Sequence, residues 1–462
     1  MSLAFHIENF GCRAARADGE AVGERLRAAG LSEDQASPDV VVVNTCSVTA
    51  EADRAARAFI RRAHRLNPAA RIVVTGCYAQ RAPEDLAALS GVAAVVGNSY
   101  KALAPEIALG LARNNEKVHF ATSNLVPVQS LLAPIWADDR FAHSFIEDVQ
   151  LVAGAQTRPN LKIQEGCGNR CTFCVIPQTR GPSRSLPTEA ILKQIDAFVS
   201  AGGNELVLSG INLGRWGRDL SENGAVMPSL PKLVHKIFDQ TSLPRLRLSS
   251  IEPMDWDAEM IALLREYGGS RLARHVHLPL QSGSDTVLRR MHRRYRPWHY
   301  AEKVAALVDA AGPDLTLGAD VMVGFPGESD REFDESVEFL HTLPFGYLHL
   351  FPFSPRPGTP GWALHATSPV SGKVVEERMA RLRTLNAQKS ASHRKQFIGH
   401  EVEVITLHTP PALESRTRTS ALTENFVPVE VVGRFAANRL MRVRVFALNE
   451  SLALEASALN PS

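Results

Sequence analysis

The sequence has little net charge, few cysteines and no long apolar run. Its 51 basic and 49 acidic side chains leave a formal charge of only +2, which excludes a highly charged nucleic-acid tail. Any polyanionic partner must therefore be held by local basic patches. No apolar run approaches the roughly 18 residues of a membrane-spanning helix, and the N-terminal MSLAFHIENFGC lacks the features of a signal peptide. We expect a cytoplasmic protein.

The six cysteines are too few for a disulfide scaffold in a chain of this length, and a reducing compartment keeps thiols available for metals or catalysis. The 462 residues, 45% of them hydrophobic, are enough for two or three folded domains.

The first third of the chain predicts a parallel α/β sheet, because apolar runs typical of strands alternate with helical patterns. The predicted strands are LAFHIEN at Leu3, VVVVN at Val40, RIVVTG at Arg71 and AAVVGN at Ala93. Between the second and third runs, arginines at three- and four-residue steps predict a helix over residues 51–66 with one basic face. This domain covers residues 1–121, and residues 122–152, which show no sustained periodicity, are interpreted as a linker.

A second series of six predicted strands follows within residues 153–393. They are LKIQEG at Leu161, ELVLSG at Glu205, RLRLSS at Arg245, VHLPLQ at Val276, LGADVMVGF at Leu317 and YLHLFPFS at Tyr347. Helical patterns fill the gaps, one capped by Thr188 and another over residues 330–343. Six βα units are fewer than the eight of a closed barrel, so we expect an open or partial barrel.

The end of the chain changes character after a helix that ends near Lys395. Short strands with turn residues between them predict a small β-barrel over residues 394–462. These predicted strands are EVEVITL at Glu401, FVPVEVVG at Phe426 and LMRVRVFAL at Leu440.

Three cysteines, Cys167, Cys171 and Cys174, share one loop in EGCGNRCTFCVIP, directly after the first strand of the second series. This C-x3-C-x2-C spacing matches neither the paired C-x2-C units usual in zinc sites nor the ferredoxin run. Three thiolates on a cubane iron–sulfur cluster would leave one iron open to a small molecule. Three small buried hydrophobic residues are the weaker interpretation, because thiols packed for volume have no reason to share one loop.

The other three cysteines, Cys12, Cys46 and Cys77, each fall just past a predicted strand of the first domain. The carboxyl ends of parallel strands form one edge of a sheet, so we expect the three thiols to converge there. Buried packing and a zinc site completed by His or Asp stay open as alternatives. A second cluster with an open iron is the preferred hypothesis.

The cysteine loop, with Phe173 before its last cysteine, resembles the signature of radical S-adenosylmethionine (AdoMet) enzymes. With the upstream cysteines and the terminal β-domain, the whole chain resembles the methylthiotransferases. That family has an N-terminal methylthiotransferase domain, a central radical AdoMet partial barrel and a C-terminal TRAM domain. The resemblance therefore implies these three domains for residues 1–121, 153–393 and 394–462.

Within the family, the chain is most similar to the branch acting on threonylcarbamoyladenosine of tRNA. The similar motifs are NTCSVTAEADR at Asn44, VTGCYAQ at Val74, LKIQEGC at Leu161, RGPSRS at Arg180, LSGINLG at Leu208, LRLSSIEP at Leu246 and FPFSPRPGTP at Phe351. One departure is Ala15, where the family commonly carries Asn. It weakens only the local support of the auxiliary cluster.

The resemblance implies sulfur insertion at carbon 2 of adenine 37, next to the anticodon. One AdoMet donates a methyl group to a sulfur carried by the auxiliary 4Fe-4S cluster of Cys12, Cys46 and Cys77. A second AdoMet binds the open iron of the other 4Fe-4S cluster and is cleaved reductively to a 5′-deoxyadenosyl radical. Positioned acid–base groups supply only about 10²–10⁴-fold, so a cofactor must provide this reactivity. A low-potential electron donor and a sulfur source are also required, and the sequence identifies neither.

The AdoMet pocket is predicted at the carboxyl mouth of the barrel. Its candidate residues are Ser209, Gly210 and Asn212 for the methionine end, Ser250, Glu252 and Gln281 for polar contacts, and Gly324 with Phe173 near the adenine. Each could also be an ordinary turn or capping residue.

RNA contacts must come from basic patches. The candidates are the helix face Arg54, Arg57, Arg61 and Arg65, the run Arg289, Arg290, Arg293, Arg294 and Arg296, and the strand residues Arg442 and Arg444. Each patch is equally well read as a solvated helix face or a charged edge strand. Arg180, Arg184 and Arg356 lie in motif loops and could pair with the AdoMet carboxylate, an RNA phosphate or the threonyl carboxylate.

Two alternatives compete with threonylcarbamoyladenosine methylthiolation. One keeps the chemistry and changes the substrate to isopentenyladenosine in tRNA or a ribosomal-protein aspartate. The other is a zinc-containing RNA-binding protein without catalysis. Brown protein with about eight irons after anaerobic purification would favour two cubanes, and colourless protein with zinc would favour the second alternative.

Overall fold

The structure is a computed structural model that describes residues 3–113, 133–141, 157–220 and 228–459. Its strands are β1 Ala4–Asn9, β2 Ser32–Glu33, β3 Val40–Thr45, β4 Arg71–Gly76, β5 Val92–Gly97, β6 Ile135–Trp136, β7 Asn160–Glu165, β8 Arg184–Ser185, β9 Glu205–Gly210, β10 Arg245–Leu248, β11 His275–His277, β12 Thr316–Val323, β13 Phe345–Pro352, β14 Glu401–Thr406, β15 Arg418–Thr423, β16 Pro428–Val432, β17 Leu440–Leu448 and β18 Leu454–Ala458.

Its α-helices are α1 Arg13–Ala28, α2 Ala50–Leu66, α3 Cys77–Arg81, α4 Pro83–Ala87, α5 Ala104–Ala112, α6 Ile176–Arg180, α7 Thr188–Ser200, α8 Leu230–Gln240, α9 Ala258–Tyr267, α10 Asp285–Arg290, α11 Pro297–Ala311, α12 Asp330–Thr342, α13 Pro360–Thr367, α14 Gly372–Lys395 and α15 Pro411–Glu414. Short 3₁₀ segments cover Asn98–Leu103, Leu213–Arg215 and Pro253–Asp255. Within the described ranges, every helix is too short or too polar to cross a bilayer.

The described chain forms two compact units. The first consists of residues 3–113, 133–141, 165–184 and 354–362, and the second of residues 157–164, 185–220, 228–353 and 363–459. The cysteine loop at residues 167–174 therefore belongs with the N-terminal sheet in the first unit. The domain boundaries given above remain predictions, since these units are defined by compactness alone.

The first unit contains a six-stranded parallel sheet in the order β2-β1-β3-β4-β5-β6. The central strand β3 has no polar alternation because both of its faces are covered: Val40 and Val42 pack into one apolar cluster, and Val41 and Val43 into another. The predicted parallel α/β sheet is confirmed.

Helix α2 begins at Ala50, one residue before the predicted start, and the Thr49 side chain caps it by accepting from the Ala52 N–H at 3.2 Å. Of the predicted linker, residues 122–132 and 142–152 lie outside the described residues. Between them, the short strand β6 pairs with Val95 and Val96 of β5.

The second unit contains all six strands predicted for the barrel region, as β7, β9, β10, β11, β12 and β13. They form parallel ladders in the orders β10-β9-β7 and β11-β12-β13. The prediction that Thr188 caps a helix is wrong. Pro187 occupies the N-cap, and Thr188 is already the first residue of α7 and makes no capping bond with its side chain.

The closed barrel β14-β15-β16-β18-β17 ends the chain and confirms the predicted small β-barrel. Strands β15, with the sequence RTSALT, and β18, with LEASA, are not among the predicted strands. Both lack the run of large apolar residues on which strand prediction depends.

A partly buried histidine on α14, His393, predicts that the fold is sensitive to acid. The Nε2 of His393 lies 2.8 Å from the Thr316 hydroxyl, and burial lowers the pKa of His393 from 6.5 to about 4. Because the unfolded chain takes up this proton at higher pH than the folded chain, stability falls as the pH drops from about 6.5 towards 4. At pH 5.5, one pH unit below the pKa of the unfolded chain, the free energy of unfolding should be lower by about 1.4 kcal/mol.

The measurement is the melting temperature at pH 7.5 and pH 5.5. Between these two pH values, the melting temperature of His393→Gln should fall less than that of the wild type. The exposed His341 provides the control, and His341→Gln should behave as the wild type. An identical drop in all three proteins would contradict the prediction.

Candidate active site

The three upstream cysteines lie at one edge of the N-terminal sheet. Cys12 is the N-cap of α1, Cys46 follows β3, and Cys77 is the first residue of α3. Their strands β1, β3 and β4 are direct neighbours in the sheet. The convergence expected from the carboxyl ends of parallel strands is therefore present.

The turn between β1 and α1 crosses closely over Cys46. Gly11 there has a φ of +111°, and a Cβ added to it would lie 2.7 Å from the Cβ of Cys46 and 2.9 Å from its Sγ. Only glycine combines this positive φ with the absence of a Cβ that would collide with Cys46. Burial, followed by the nearby thiols of Cys77 and Cys12, raises the pKa of Cys46 to about 12. The three thiols are thus electrostatic neighbours.

Cys167, Cys171 and Cys174 belong to the same compact unit. The backbone N–H of Cys167 donates to the Gly181 carbonyl at 3.1 Å, and the N–H of Cys174 donates to the Cys171 carbonyl at 3.1 Å. The first bond holds the loop against the chain that follows α6, and the second forms a turn within the loop. None of the six cysteines is in a disulfide bond.

The described cysteine thiols do not lie close enough together to share a single metal ion. Thiolates that share one zinc ion at about 2.3 Å would lie about 3.8 Å apart. In the part of the chain that the structure describes, no three metal-ligating atoms that include a cysteine Sγ lie within 4.8 Å of one another. A cubane separates its cysteine ligands more widely than a single ion does.

N–H groups also point at the sulfurs, as they do at cluster ligands, where such bonds tune the reduction potential. Asn98 Nδ2 donates to Cys77 Sγ at 3.5 Å, the Val48 N–H to Cys46 Sγ at 3.5 Å, and the Asn169 N–H to Cys167 Sγ at 3.4 Å. The Nδ2 of Asn98 also donates to the Thr179 carbonyl at 2.8 Å, so this one amide connects Cys77 to the helix that follows the cysteine loop.

A buried ion cluster lies beside the upstream thiols. Arg180 is fully buried and pairs with Asp18 at 3.0 Å and with Glu165, and Lys101 pairs with the same two carboxylates. Although burial lowers the pKa of Arg180, the adjacent Cys77 and the two carboxylates raise it well above its usual value. This arginine stays charged.

The guanidinium of Arg180 keeps two buried nitrogens, Nε and Nη2, without a hydrogen-bond partner among the described residues. Orphaned buried donors are costly unless a partner is supplied. Because Arg180 lies within electrostatic range of Cys77 and Cys12, sulfur atoms of a cluster held by these cysteines would provide acceptors. The donors present therefore fit that group.

The predicted AdoMet residues, except Phe173, lie in the second unit and follow the carboxyl ends of its strands. Ser209 and Gly210 end β9, Asn212 lies two residues beyond, and Gly324 directly follows β12. The Asn212 N–H donates to Gln164 Oε1 at 2.7 Å. Ser250 is partly buried two residues after β10. Phe173 is partly buried in the first unit.

One of these residues carries signs of a constrained site. Gln281 has a φ of +68°, a conformation that side chains rarely adopt, and its buried Oε1 has no partner among the described residues. Glu252, in contrast, already forms an ion pair with Arg293. The role of each residue towards AdoMet stays a prediction.

Comparison with known proteins gives two family matches: the radical SAM superfamily over residues 161–340 and the uncharacterized protein family UPF0004 over residues 4–97. The threonylcarbamoyladenosine tRNA methylthiotransferase MtaB of Bacillus subtilis is 35% identical over 441 residues, 94% of this chain and 90% of that protein. The MtaB of Aquifex aeolicus is 34% identical over 96% of this chain and 100% of that protein. The chain belongs to the MtaB methylthiotransferase family.

More distant proteins resemble this MtaB-family chain in sequence or in fold. The tRNA-2-methylthio-N(6)-dimethylallyladenosine synthase of Geobacillus thermodenitrificans is 27% identical over 99% of this chain and 84% of that protein. The radical AdoMet methyltransferase TsrM of Kitasatospora setae superimposes with a TM-score of 0.56 at 15% identity, covering 78% of this chain and 77% of TsrM. That likeness shows a shared fold alone.

The arginines predicted to contact RNA differ in accessibility. Arg54, Arg61 and Arg65 of the MtaB-family chain are exposed on α2, whereas Arg57 is half-buried over the Tyr78 ring. Arg442 and Arg444 are exposed but both pair with Glu401. In the run from residue 289 to 296, four arginines form ion pairs and Arg294 is exposed.

The structure argues against two of the predicted RNA or substrate contacts. Arg180 is buried in the ion cluster, and Arg356 is buried against Asp53 at 2.7 Å. Neither guanidinium is accessible to a phosphate. Arg184 donates to the Arg180 carbonyl at 2.9 Å and lies over the Phe141 ring.

Several residues beside the cysteines had no signal in the sequence. Asn98 and Lys101 lie outside the cysteine motifs along the chain, and only folding brings them to the site. Asp18 lies six residues after Cys12. Glu165 lies two residues before Cys167, so its place in the motif could have indicated a role. Ala15, which stands where the family commonly carries Asn, is buried. Its backbone carbonyl accepts a hydrogen bond from the Asn44 side chain, so this position contributes a contact through its backbone.

Proposed function

We propose that this chain converts N6-threonylcarbamoyladenosine at position 37 of tRNA to its 2-methylthio derivative. The observation that carries the proposal is the presence of two triads of cysteines, none of them in a disulfide bond, in one compact unit. The relatives with 34–35% identity over almost the whole chain are named for this reaction. Family membership implies one 4Fe-4S cluster and AdoMet, and we infer a second cluster on the upstream cysteines.

Cys167, Cys171 and Cys174 would hold the cluster to which AdoMet binds, and Cys12, Cys46 and Cys77 would hold the auxiliary one. When bound, these groups supply the electron transfer and radical reactivity needed to replace a non-acidic aromatic hydrogen by sulfur. The protein's own contribution is to hold three thiolates at each site and leave one position open. Arg180 and Asn98 add N–H donors beside the upstream thiols.

The substrate is tested by mass spectrometry of tRNA nucleosides from a strain that lacks the gene. We expect loss of 2-methylthio-threonylcarbamoyladenosine and of no other nucleoside. Complementation with the wild-type gene should restore it. Loss of the methylthio derivative of isopentenyladenosine, or no change in tRNA, would overturn the proposal.

For tRNA binding, we propose that Arg54, Arg61 and Arg65 contact phosphates. They lie on one exposed face of α2, and no described carboxylate forms an ion pair with them. Replacing all three by alanine should weaken tRNA binding and make the slope of log affinity against log salt concentration shallower by about 2 to 3, since each phosphate contact contributes about one.

The matched control replaces Arg265, Arg331 and Arg381, three exposed arginines that each pair with a carboxylate. This control should keep the wild-type salt slope in an anaerobic filter-binding titration. Equal salt slopes for both triple variants would show that these three arginines of α2 do not contact tRNA phosphates.

A further inference from the structure

Three neighbouring strands of the second unit bring His277, Asp320 and His349 together. The residues lie on β11, β12 and β13, and Asp320 is the direct register partner of His349. His277 pairs with Gly318, which lies two residues before Asp320 and so on the same face of β12. The two imidazoles flank one carboxylate oxygen: Asp320 Oδ1 is 3.1 Å from His277 Nε2 and 3.4 Å from His349 Nδ1.

The orientation of His277 is set by a tyrosine. The hydroxyl of Tyr347 lies 3.1 Å from His277 Nδ1 and 2.8 Å from His275 Nε2. This contact turns the Nε2 of His277 towards Asp320. Tyr347 needs the space that Gly318 leaves, because a Cβ at Gly318 would lie 2.1 Å from the tyrosine ring. A glycine inside a strand is unfavourable in itself, so the close approach of Tyr347 accounts for it.

The spacing of these three ligand atoms suits a metal ion. All three lie within 4.8 Å of one another, and in the described part of the chain this is the one such group of metal-ligating side chains. Bonds of about 2.1 Å that meet at 90–110° separate neighbouring ligand atoms by about 3.0–3.4 Å. The two measured separations, 3.1 and 3.4 Å, fall in that range.

The ligand set and its surroundings indicate which ions would bind. Two imidazoles and one carboxylate are typical ligands of zinc and of non-haem iron(II). The His277 side chain is 10% exposed and that of His349 is 61% exposed, so an ion would be anchored on one side and open to solvent on the other.

We propose that His277, Asp320 and His349 form a binding site for one divalent first-row transition-metal ion, with open positions for oxygen ligands. The Tyr347 hydroxyl, by bonding the far nitrogen of His277, is the group that orients this ligand. The proposal does not depend on either cysteine triad, since all its residues lie in the second unit.

The test is anaerobic equilibrium dialysis of the full chain, with its clusters loaded, against Zn²⁺ after chelator treatment. Iron is measured in the same samples. We expect the wild type to bind one more Zn²⁺ per chain than His349→Asn, at equal iron content. Because His349 is largely exposed, this variant should fold. His341→Asn, at an exposed histidine outside the group, is the control and should bind as the wild type.

Tyr347→Phe gives a second measurement that keeps all three ligands. Loss of the hydroxyl should weaken Zn²⁺ binding about 10- to 100-fold without changing the number of sites. Zn²⁺ should also raise the melting temperature of the wild type but not that of His349→Asn, because ligands stabilise the state that binds them. Equal zinc binding by the wild type and His349→Asn would show a purely hydrogen-bonded triad and overturn the proposal.

Discussion

Cys171→Ala is expected to reduce the formation of 5′-deoxyadenosine from AdoMet to the background rate. Cys171 is the middle ligand of the loop triad, and a cluster held by two thiolates would lose its attachment and its open position for AdoMet. The measurement is anaerobic turnover with dithionite as electron donor, followed by chromatography of the nucleosides. Methylthio transfer to tRNA should disappear as well.

The matched variant is Cys46→Ala in the upstream triad. It should retain part of the AdoMet cleavage but produce no methylthiolated tRNA, because the loop triad is intact while the auxiliary site is broken. Iron content should fall by about half in each variant. If both variants and the wild type cleaved AdoMet equally, the proposed division of roles between the triads would be wrong.

Arg180→Met is expected to lower the free energy of unfolding of the first unit by about 3–5 kcal/mol, the usual effect of removing one partner from a buried ion pair. The variant leaves Asp18 and Glu165 with Lys101 as the remaining partner of this cluster, in a site where Glu165 is fully buried. It also removes the two N–H donors beside Cys77 and Cys12. We therefore expect iron to be lost from the auxiliary site.

Urea unfolding followed by circular dichroism measures the first effect, and iron analysis of the purified protein measures the second. Arg61→Met is the control, because Arg61 is an exposed arginine of the same unit, and it should change stability by less than about 0.5 kcal/mol. Comparable stability and iron content in the two variants would contradict a role for the buried cluster.

Local patterns were sufficient for most elements that form the scaffold. The apolar run of β3 predicted a strand of a parallel sheet, and the arginine spacing of α2 predicted one helix face. Strands β2 and β6, two residues each, are too short to leave a pattern, and they are held only by pairing with β1 and β5. The prediction of a cap at Thr188 failed for a local reason. A capping side chain must belong to the residue before the first helical residue, and here that residue is Pro187, while Thr188 already begins the helix.

The roles of charged residues could not be predicted from local sequence patterns. Arg180 and Arg356 look like any motif-loop arginine in the sequence, but the structure buries both against carboxylates that are distant along the chain, Asp18 and Asp53. Whether an arginine binds a phosphate or an internal carboxylate depends on its neighbours in space. A list of residues in order does not contain that information.

By itself, the sequence determined the two cysteine triads, the strands that carry them and the order of the three folded regions, since spacing and hydrophobic period act between near neighbours. Only the tertiary structure decided which polar groups meet: Asp18, Lys101, Glu165 and Arg180 beside the upstream thiols, and His277, Asp320 and His349 across three strands. These side-chain contacts depend on the order and register of the strands in each sheet. Packing of the whole chain sets that order and register.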